Sequence, residues 1–360
     1  MEAAWHSVPG GTGRVTVDLA SALSRRSDIK VQGFSAWHRR PAPPDFSPTI
    51  SVRKLKVPRP LLYEAWSRAP IPRLNVKGHD IVHSTTIVPP PASNVPLVVS
   101  VHDLAFRRFP ERFPGRARRL FERSWRRVLE RADAVLCPSA ATSADLRAGG
   151  LAADRLHLVP LGHDPRPVTK EAGLQARQRF GIDGSFVLAA GTLEPRKNIP
   201  TLIDAFARIA STTNTQLVLA GPTGWGITPQ DLLHPLDTDT KNRVVITGAV
   251  TIDELAALYS EATVFCYPSL LEGFGLPVLE AMSYRTPVVT SKGTSTEEVA
   301  GDAALAIDPN SAGDLADALL TVLTDRHFAR ELAQRGYERS TAFSWDSAAS
   351  AIVAVYRSLL

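Results

Sequence analysis

The chain has 360 residues, 44% of them hydrophobic and 21% charged, with a net charge of +5 and two cysteines. That length favours two domains over one core, and the composition is that of an ordinary globular protein. No apolar run reaches membrane-spanning length and no basic region with an apolar core opens the chain, so neither a membrane span nor a secretory leader is expected.

Cys137 and Cys266 each fall in a predicted buried strand of a different half. A disulfide or cysteine metal site is therefore not expected, and a reducing cytoplasm fits. The first elements look clipped. Only Ala3, Ala4 and Trp5 precede the run VPGGTGRV, where an α/β domain would place an apolar strand, so the first strand is expected to be short or truncated. Gly10, Gly11 and Gly13 lead into a predicted helix, Arg14 to Ser24. Such glycines let backbone approach a ligand at a helix start, and they equally suit a tight turn. The run is neither a P-loop nor Gly-x-Gly-x-x-Gly.

Strands are predicted at Ile29–Phe34, Ile50–Val57, Asp80–His83 and Leu97–Val101. The last ends in His102-Asp103, a pair placed where a crevice would lie, or a satisfied structural histidine. Gly115 to Arg131 reads as a helix with Leu120, Phe121, Trp125, Val128 and Leu129 on one face. Between Arg107 and Arg131 stand ten arginines and three glutamates. That local excess is larger than the charge of the whole chain, so the remainder is slightly acidic. The segment reads either as a solvated face or as a contact for acidic lipid head groups or an anionic acceptor. Nucleic acid is not expected, for want of aromatic-basic interleaving.

A strand at Ala134–Cys137 ends in Pro138-Ser139, echoed by Thr263–Tyr267 with Pro268-Ser269. Arg155–Val159 closes the first half. The proline-rich segment Pro160 to Thr169 is the predicted hinge. The expected domains are residues 1–165 and 166–344, with a last helix over 345–360 that could return to the first domain. The second half alternates strand and helix more cleanly. Strands are expected at Phe186–Ala190, Gln216–Ala220, Val244–Thr247, Thr263–Tyr267, Pro287–Thr290 and Ala304–Ile307. Helices are expected near Ile199–Ile209, Ile252–Glu261, Gly275–Tyr284, Thr296–Val299, Ala312–Thr324 and Phe328–Ser340. This pattern predicts a parallel, doubly wound α/β sheet.

The chemistry concentrates at strand ends. Phe186–Ala190 leads into Gly191-Thr192-Leu193-Glu194-Pro195-Arg196-Lys197-Asn198. Arg196 and Lys197 can clamp a diphosphate and stabilise charge growing on a leaving group, or they can be solvated charges before a helix. Three further loops carry ligand-type groups: Gly221–Gly224, Gly248–Val250 and Ser269–Gly273 with Glu272. Four such loops at one sheet edge point to a nucleotide site. Glu280 lies in the helix that follows Glu272, and Phe274 and Gly275 open that helix with N–H groups that favour an anion. Asp237-Thr238-Asp239 could hold a divalent cation but reads as a solvated loop.

GTLEPRKN, EGFGLPVLEAM and EEVAGDAALAIDP resemble family 4 glycosyltransferases of the GT-B fold, which are retaining enzymes. The spacing Glu-x₇-Glu, Glu272 to Glu280, is that family's signature, and VPGGTGR, VHDLAFRRFP and LCPS extend the likeness less densely into the first half. The resemblance implies two Rossmann-like domains facing a cleft. It implies transfer of a hexose from a UDP- or GDP-linked donor to a hydroxyl acceptor, such as a glycan or lipid-linked sugar. By the same resemblance, Arg196 and Lys197 bind the donor diphosphate and Glu280 takes the ribose hydroxyls. Glu272 holds the transferred sugar with the backbone of Gly273, Phe274, Gly275 and Leu276. Gly191 and Val250 line the donor site, with Val250 positioning the base. Gly10 and Gly11 pack on the phosphates, and His102 lies near the reacting carbon. No cofactor or metal is expected, since the two cations can do a metal's work. The expected location is the cytoplasm, with peripheral contact at the inner membrane surface through residues 107–131. Tyr284-Arg285 departs from the small pair usual in the family, and altered packing is expected there. A nucleotide-sugar 2-epimerase using Glu272 and Glu280 as an acid/base pair, or an inactive nucleotide-sugar binding protein, are the alternatives.

Overall fold

The computed structural model describes residues 1–6, 10–69, 71–91, 94–224 and 226–360. The chain divides into two compact units, Met1–Gly162 with Ser344–Leu360, and His163–Phe343.

Six short strands form in unit 1: β1 (Gly33–Trp37), β2 (Val52–Pro58), β3 (Val82–Ser84), β4 (Leu97–Ser100), β5 (Ala134–Cys137) and β6 (Leu156–Leu158). They make a two-stranded sheet, β1-β2, and a four-stranded sheet, β3-β4-β5-β6, parallel throughout. Every residue of β4 and β5 is buried, as expected of strands covered on both faces. The helix Gly115–Arg131 buries Trp125 and Val128 in that core, and Trp125 Nε1 donates to the Gly149 carbonyl at 3.1 Å. The last helix, Trp345–Ser358, also belongs to unit 1, where it packs on the helix Gly10–Ser24. Tyr356 anchors it through a 2.6 Å hydrogen bond with His83 Nδ1.

Several expectations for unit 1 change. The residues expected to form a short first strand make a 3-10 helix, Glu2–Trp5, with Ala3 and Ala4 fully buried. These residues bond to β1 without pairing as a strand: the Glu2 carboxylate accepts from the Ala36 N–H at 2.7 Å and the Met1 amino group donates to the Phe34 carbonyl at 2.9 Å. Val8 and Pro9 of the glycine motif lie outside the described residues. The first long helix begins at Gly10, not Arg14, so Gly10 and Gly11 form its exposed first turn. β1 starts four residues later than periodicity suggested. A helix at Arg59–Arg68 was not among the expected elements, and its second residue is Pro60. It sits in the first turn, where its missing N–H costs nothing.

In unit 2 the strands are β7 (Phe186–Ala190), β8 (Gln216–Ala220), β9 (Val244–Gly248), β10 (Val264–Tyr267), β11 (Val288–Ser291) and β12 (Leu305–Ile307). The parallel sheet runs β12-β11-β10-β7-β8-β9. Counted from β7, that is the doubly wound order 3-2-1-4-5-6, with its switch point between β7 and β10. Leu202 and Phe206 of the helix Ile199–Ala210, with Leu315 and Leu319 of Ala312–Thr324, pack in one cluster with Val187 and Leu217 of the sheet. Each such fully buried side chain contributes about 1.5–3 kcal/mol. The helix Lys170–Phe180 was also unexpected, although its signals are ordinary. The Thr169 hydroxyl accepts from Ala172 N–H, and Gly181 ends it at φ +64°. Asp237 and Asp239 do not lie in an open loop. Asp237 caps a short helix, Thr238–Asn242, and both its carboxylate oxygens are engaged by Thr240.

Candidate functional site

In a doubly wound sheet the ligand crevice lies outside the carboxyl ends of the strands at the switch point. Here those ends are Ala190 of β7 and Tyr267 of β10. After β7 the chain turns at Gly191 (φ +129°) and forms one 3-10 turn, Pro195–Lys197. Asn198 then takes a left-handed conformation and starts the helix Ile199–Ala210. Backbone bonds hold this loop against the one after β8: Gly191 N–H donates to Ala220 O at 2.8 Å and Leu193 N–H to Pro222 O at 2.9 Å. The two loops meet so closely that a Cβ on Gly221 would lie 2.0 Å from the Gly191 carbonyl oxygen.

The loop after β10 brings Glu272 onto this turn. Leu270 N–H donates to Arg196 O at 2.8 Å, and Arg196 donates back to the Leu271 carbonyl at 3.2 Å. Ser295 Oγ fixes the Glu272 carbonyl at 2.7 Å. The Glu272 carboxylate then meets Lys197 Nζ at 2.6 Å and Arg196 at 2.7 Å, one oxygen to each cation. Glu194 closes the network on Arg196 at 2.5 Å, and Lys197 also donates to the Tyr267 hydroxyl. Lys197 is buried and Glu272 half-buried, with 9% of each side chain exposed. Burial pushes the Glu272 carboxyl up, but Arg196 and Lys197 outweigh it and hold the group at about 2. Burial, with Arg196 beside it, lowers Lys197. Burial pushes the Tyr267 hydroxyl well up, so it stays protonated.

Glu280 lies on the helix Leu276–Ser283, where the buried Tyr259 hydroxyl donates to its Oε2 at 3.0 Å. Gly275 precedes that helix at φ +114°, and a Cβ there would lie 2.9 Å from Thr296. Phe274 is buried, Gly273 is buried and Leu276 half-buried. The half-buried Val250 follows β9. The structure thus brings Arg196, Lys197 and Glu272 into direct contact, with Gly191 against the Lys197 stem. Glu280 stands on the next helix, bound to Tyr259. His102, Gly10 and Gly11 belong to unit 1. There His102 follows β4 and its Nε2–H donates to the Thr85 carbonyl at 3.1 Å. Burial lowers the His102 ring, so it is neutral at pH 7.

Sequence reasoning passed over Glu194, Tyr259, Tyr267 and Ser295. Glu194 lies inside the GTLEPRKN motif and Tyr267 ends a predicted strand, so both were within reach. Tyr259 gave no local signal, since only the packing of its helix aims it at Glu280. At the Tyr284-Arg285 departure, Tyr284 stacks on Tyr259 with ring centroids 6.1 Å apart. Its hydroxyl accepts from Arg166 N–H and donates to Arg166 O, both at 3.0 Å. Arg285 takes φ +59° and lays its guanidinium 3.7 Å from the Tyr337 ring centroid, a cation–π contact that offsets the backbone cost.

Two family models match the chain, glycosyl transferases group 1 over residues 175–339 and glycosyltransferase family 4 over residues 9–166. The chain is 33% identical over 270 residues to the O-antigen chain mannosyltransferase B of Escherichia coli, covering 73% of this chain and 70% of that one. The chain belongs to the group 1 glycosyltransferases. A serotype-specific mannosyltransferase of Escherichia coli is 30% identical over 79% of this chain, which spans only 36% of that longer protein. Among solved structures, a sucrose-phosphate synthase from Thermosynechococcus elongatus superposes with a TM-score of 0.76 at 26% identity, covering 97% of this chain and 94% of that one. An Anabaena protein crystallised with UDP and glucose shares the fold, with a TM-score of 0.76 at 20% identity over 99% of this chain and 98% of that one. The fold is GT-B and the activity that of a glycosyltransferase. Among the described residues no helix is long and apolar enough to cross a membrane.

Proposed function

We propose that this glycosyltransferase moves a hexose, with retention at the anomeric carbon, from a UDP- or GDP-linked donor to a hydroxyl on a glycan or lipid-linked sugar. The observation that carries the reading is the Arg196–Lys197–Glu272 cluster at the switch point of the six-stranded sheet. Arg196 offers a fork and Lys197 a point charge for the diphosphate. Glu194 and Glu272 balance these cations, so an arriving diphosphate competes with Glu272 for both. Displaced, Glu272 is free to accept hydrogen bonds from the sugar. Glu280, held by Tyr259, serves the ribose hydroxyls. The mannosyltransferase relative supports a hexose, and the UDP and glucose of the Anabaena neighbour support a nucleotide-linked one.

In the reaction the bond from the anomeric carbon to the diphosphate oxygen breaks and a bond to the acceptor oxygen forms on the same face. The acceptor proton passes to the departing diphosphate. Arg196 and Lys197 stabilise the charge that grows there, which makes a metal unnecessary in this reading. The parts given to His102, Gly10 and Gly11 rest on the family resemblance alone. Peripheral contact with an anionic membrane surface through residues 107–131 belongs to the same reading.

The test is a panel of UDP- and GDP-hexoses incubated with candidate acceptors, with released nucleotide measured and the product anomer read by NMR. Freed nucleotide with an unchanged anomeric configuration is the expected result. An inverted anomer overturns retention. An altered nucleotide sugar without release would make the protein an epimerase, and binding without turnover on any acceptor a binding protein.

A further inference from the structure

Unit 1 carries a second charged site with no part in the donor chemistry. A cleft of about 330 Å³ opens between the helices Arg59–Arg68 and Gly115–Arg131, lined by Glu64, Arg68, Arg116, Arg119 and Arg123. Its volume falls at the lower end of the range for small-ligand clefts, about 300–1,000 Å³. Arg116, Arg119 and Arg123 recur at three- and four-residue spacing, so they form one stripe. The opposite face of that helix buries Trp125 and Val128. Four arginines and a single carboxylate therefore line one cleft. Glu64 already bridges two of them, Arg68 at 2.6 Å and Arg123 at 2.9 Å. Arg123 is held further by the Ser67 hydroxyl at 3.2 Å, which fixes its fork in place. Among the described residues, Arg116 and Arg119 have no acidic partner; the same is true of Arg118, Arg126 and Arg131 outside the cleft, whereas Arg107, Arg108, Arg112 and Arg127 are paired.

What sets the cleft apart from a solvated helix face is that arginines of two helices line one space. The cleft keeps an excess of three positive charges over its one carboxylate. Guanidinium forks match phosphate oxygens two at a time, and a phosphate dianion would neutralise most of the excess. The surroundings are also amphiphilic. Leu61, one turn before Glu64 on the same helix face, is 65% exposed, and Ile71, just beyond Arg68, is 61% exposed. Large apolar side chains beside a cationic cleft suit a ligand with a phosphate and an apolar part.

We infer that the cleft between these two helices is a discrete binding site for a phosphate group, borne either by an anionic lipid or by a free phosphorylated ligand. Glu64 occupies the site as a built-in competitor. The arriving phosphate takes its place on Arg68 and Arg123 and recruits Arg116 and Arg119. The site stands apart from the donor reading, because its readout is binding and its residues are all in unit 1.

The test uses the full chain carrying Lys197→Ala, so that phosphate affinity at the donor loop is reduced, and titrates inorganic phosphate by calorimetry. Arg116→Gln with Arg119→Gln is expected to weaken binding at least about tenfold, the scale of a lost charge-assisted hydrogen bond. Arg118→Gln with Arg131→Gln removes equal charge from outside the cleft and is expected to change affinity less than about twofold. Equal losses in the two pairs would mean a diffuse basic surface and overturn the site. Glu64→Gln removes the competitor and is expected to tighten binding, by at least about threefold for one nearby like charge. An unchanged or weaker affinity in that variant overturns the exchange. Pelleting with vesicles of phosphatidylcholine alone, or of equal parts phosphatidylcholine and phosphatidic acid, separates the sources. Binding to the acidic vesicles that needs Arg116 and Arg119 and resists free phosphate assigns the lipid. Phosphate binding without vesicle preference assigns the free ligand. Neither binding refutes the inference.

Discussion

Glu272→Gln tests the central cluster quantitatively, because glutamine keeps the shape of a protonated glutamate. An ordinary carboxyl near 4.5 is held at about 2 here, despite its burial. At about 1.4 kcal/mol for each tenfold change in proton affinity, that difference favours the ionised form in the folded state by about 3 kcal/mol. A folded-state value below the unfolded one stabilises the fold above pH 4.5, and the contribution is lost as pH falls toward 2. The variant should therefore be about 3 kcal/mol less stable than wild type at pH 7, within the range for breaking a buried ion pair. The gap should narrow steadily below pH 4.5. Urea unfolding of both proteins between pH 7 and pH 3 measures it, followed on unit 2 by the fluorescence of a tryptophan introduced at an exposed site. A loss under about 1 kcal/mol at pH 7, the level of a surface pair, would refute the buried-pair reasoning. So would a gap that does not change with pH.

Lys197→Ala removes a buried charge aimed at the donor loop and is expected to slow transfer by roughly a hundredfold, the usual scale for one preorganised stabilising group. Turnover within about threefold of wild type would take Lys197 out of the mechanism. Glu280→Ala should weaken donor binding about tenfold in calorimetry, as ribose hydroxyls lose a charged acceptor. Unchanged affinity would count against that role. Gly221→Ala places a methyl 2.0 Å from the Gly191 carbonyl at a backbone angle that L residues avoid. A stability loss on the order of 3 kcal/mol is expected in urea unfolding, and a loss within experimental scatter would show that the two loops part easily.

Local pattern was enough for much of the chain. The alternation of short apolar runs with amphipathic segments predicted the parallel α/β class, and most strands of unit 2 lie within a residue of where periodicity set them. The strands of unit 1 were harder. β1 does not alternate: Gly33, Ser35 and Ala36 are buried, Phe34 is half-buried and Trp37 is exposed, so no period of two marks it, and β3 and β6 are only three residues long. The helix Arg59–Arg68, with Pro60 in its first turn, was not expected. The chemistry was legible as residue types. Arg196-Lys197 and Glu272 with Glu280 are what a diphosphate and sugar hydroxyls require, and their spacing carried the family resemblance.

Which groups touch was decided by tertiary structure. Lys197 and Glu272 are 75 residues apart and meet because the sheet order sets β10 beside β7 at the switch point. No local propensity encodes that neighbourhood; it comes from packing helices over both faces of one sheet. The same packing turns Tyr259 toward Glu280 and leaves Glu272 bound to both cations, a competition that spacing alone does not reveal. The arginine-rich segment shows the division most plainly. The sequence by itself determined an excess of positive charge on one amphipathic helix. Only the helix folded beside it, Arg59–Arg68, supplied Glu64 and Arg68 and made that charge into a cleft.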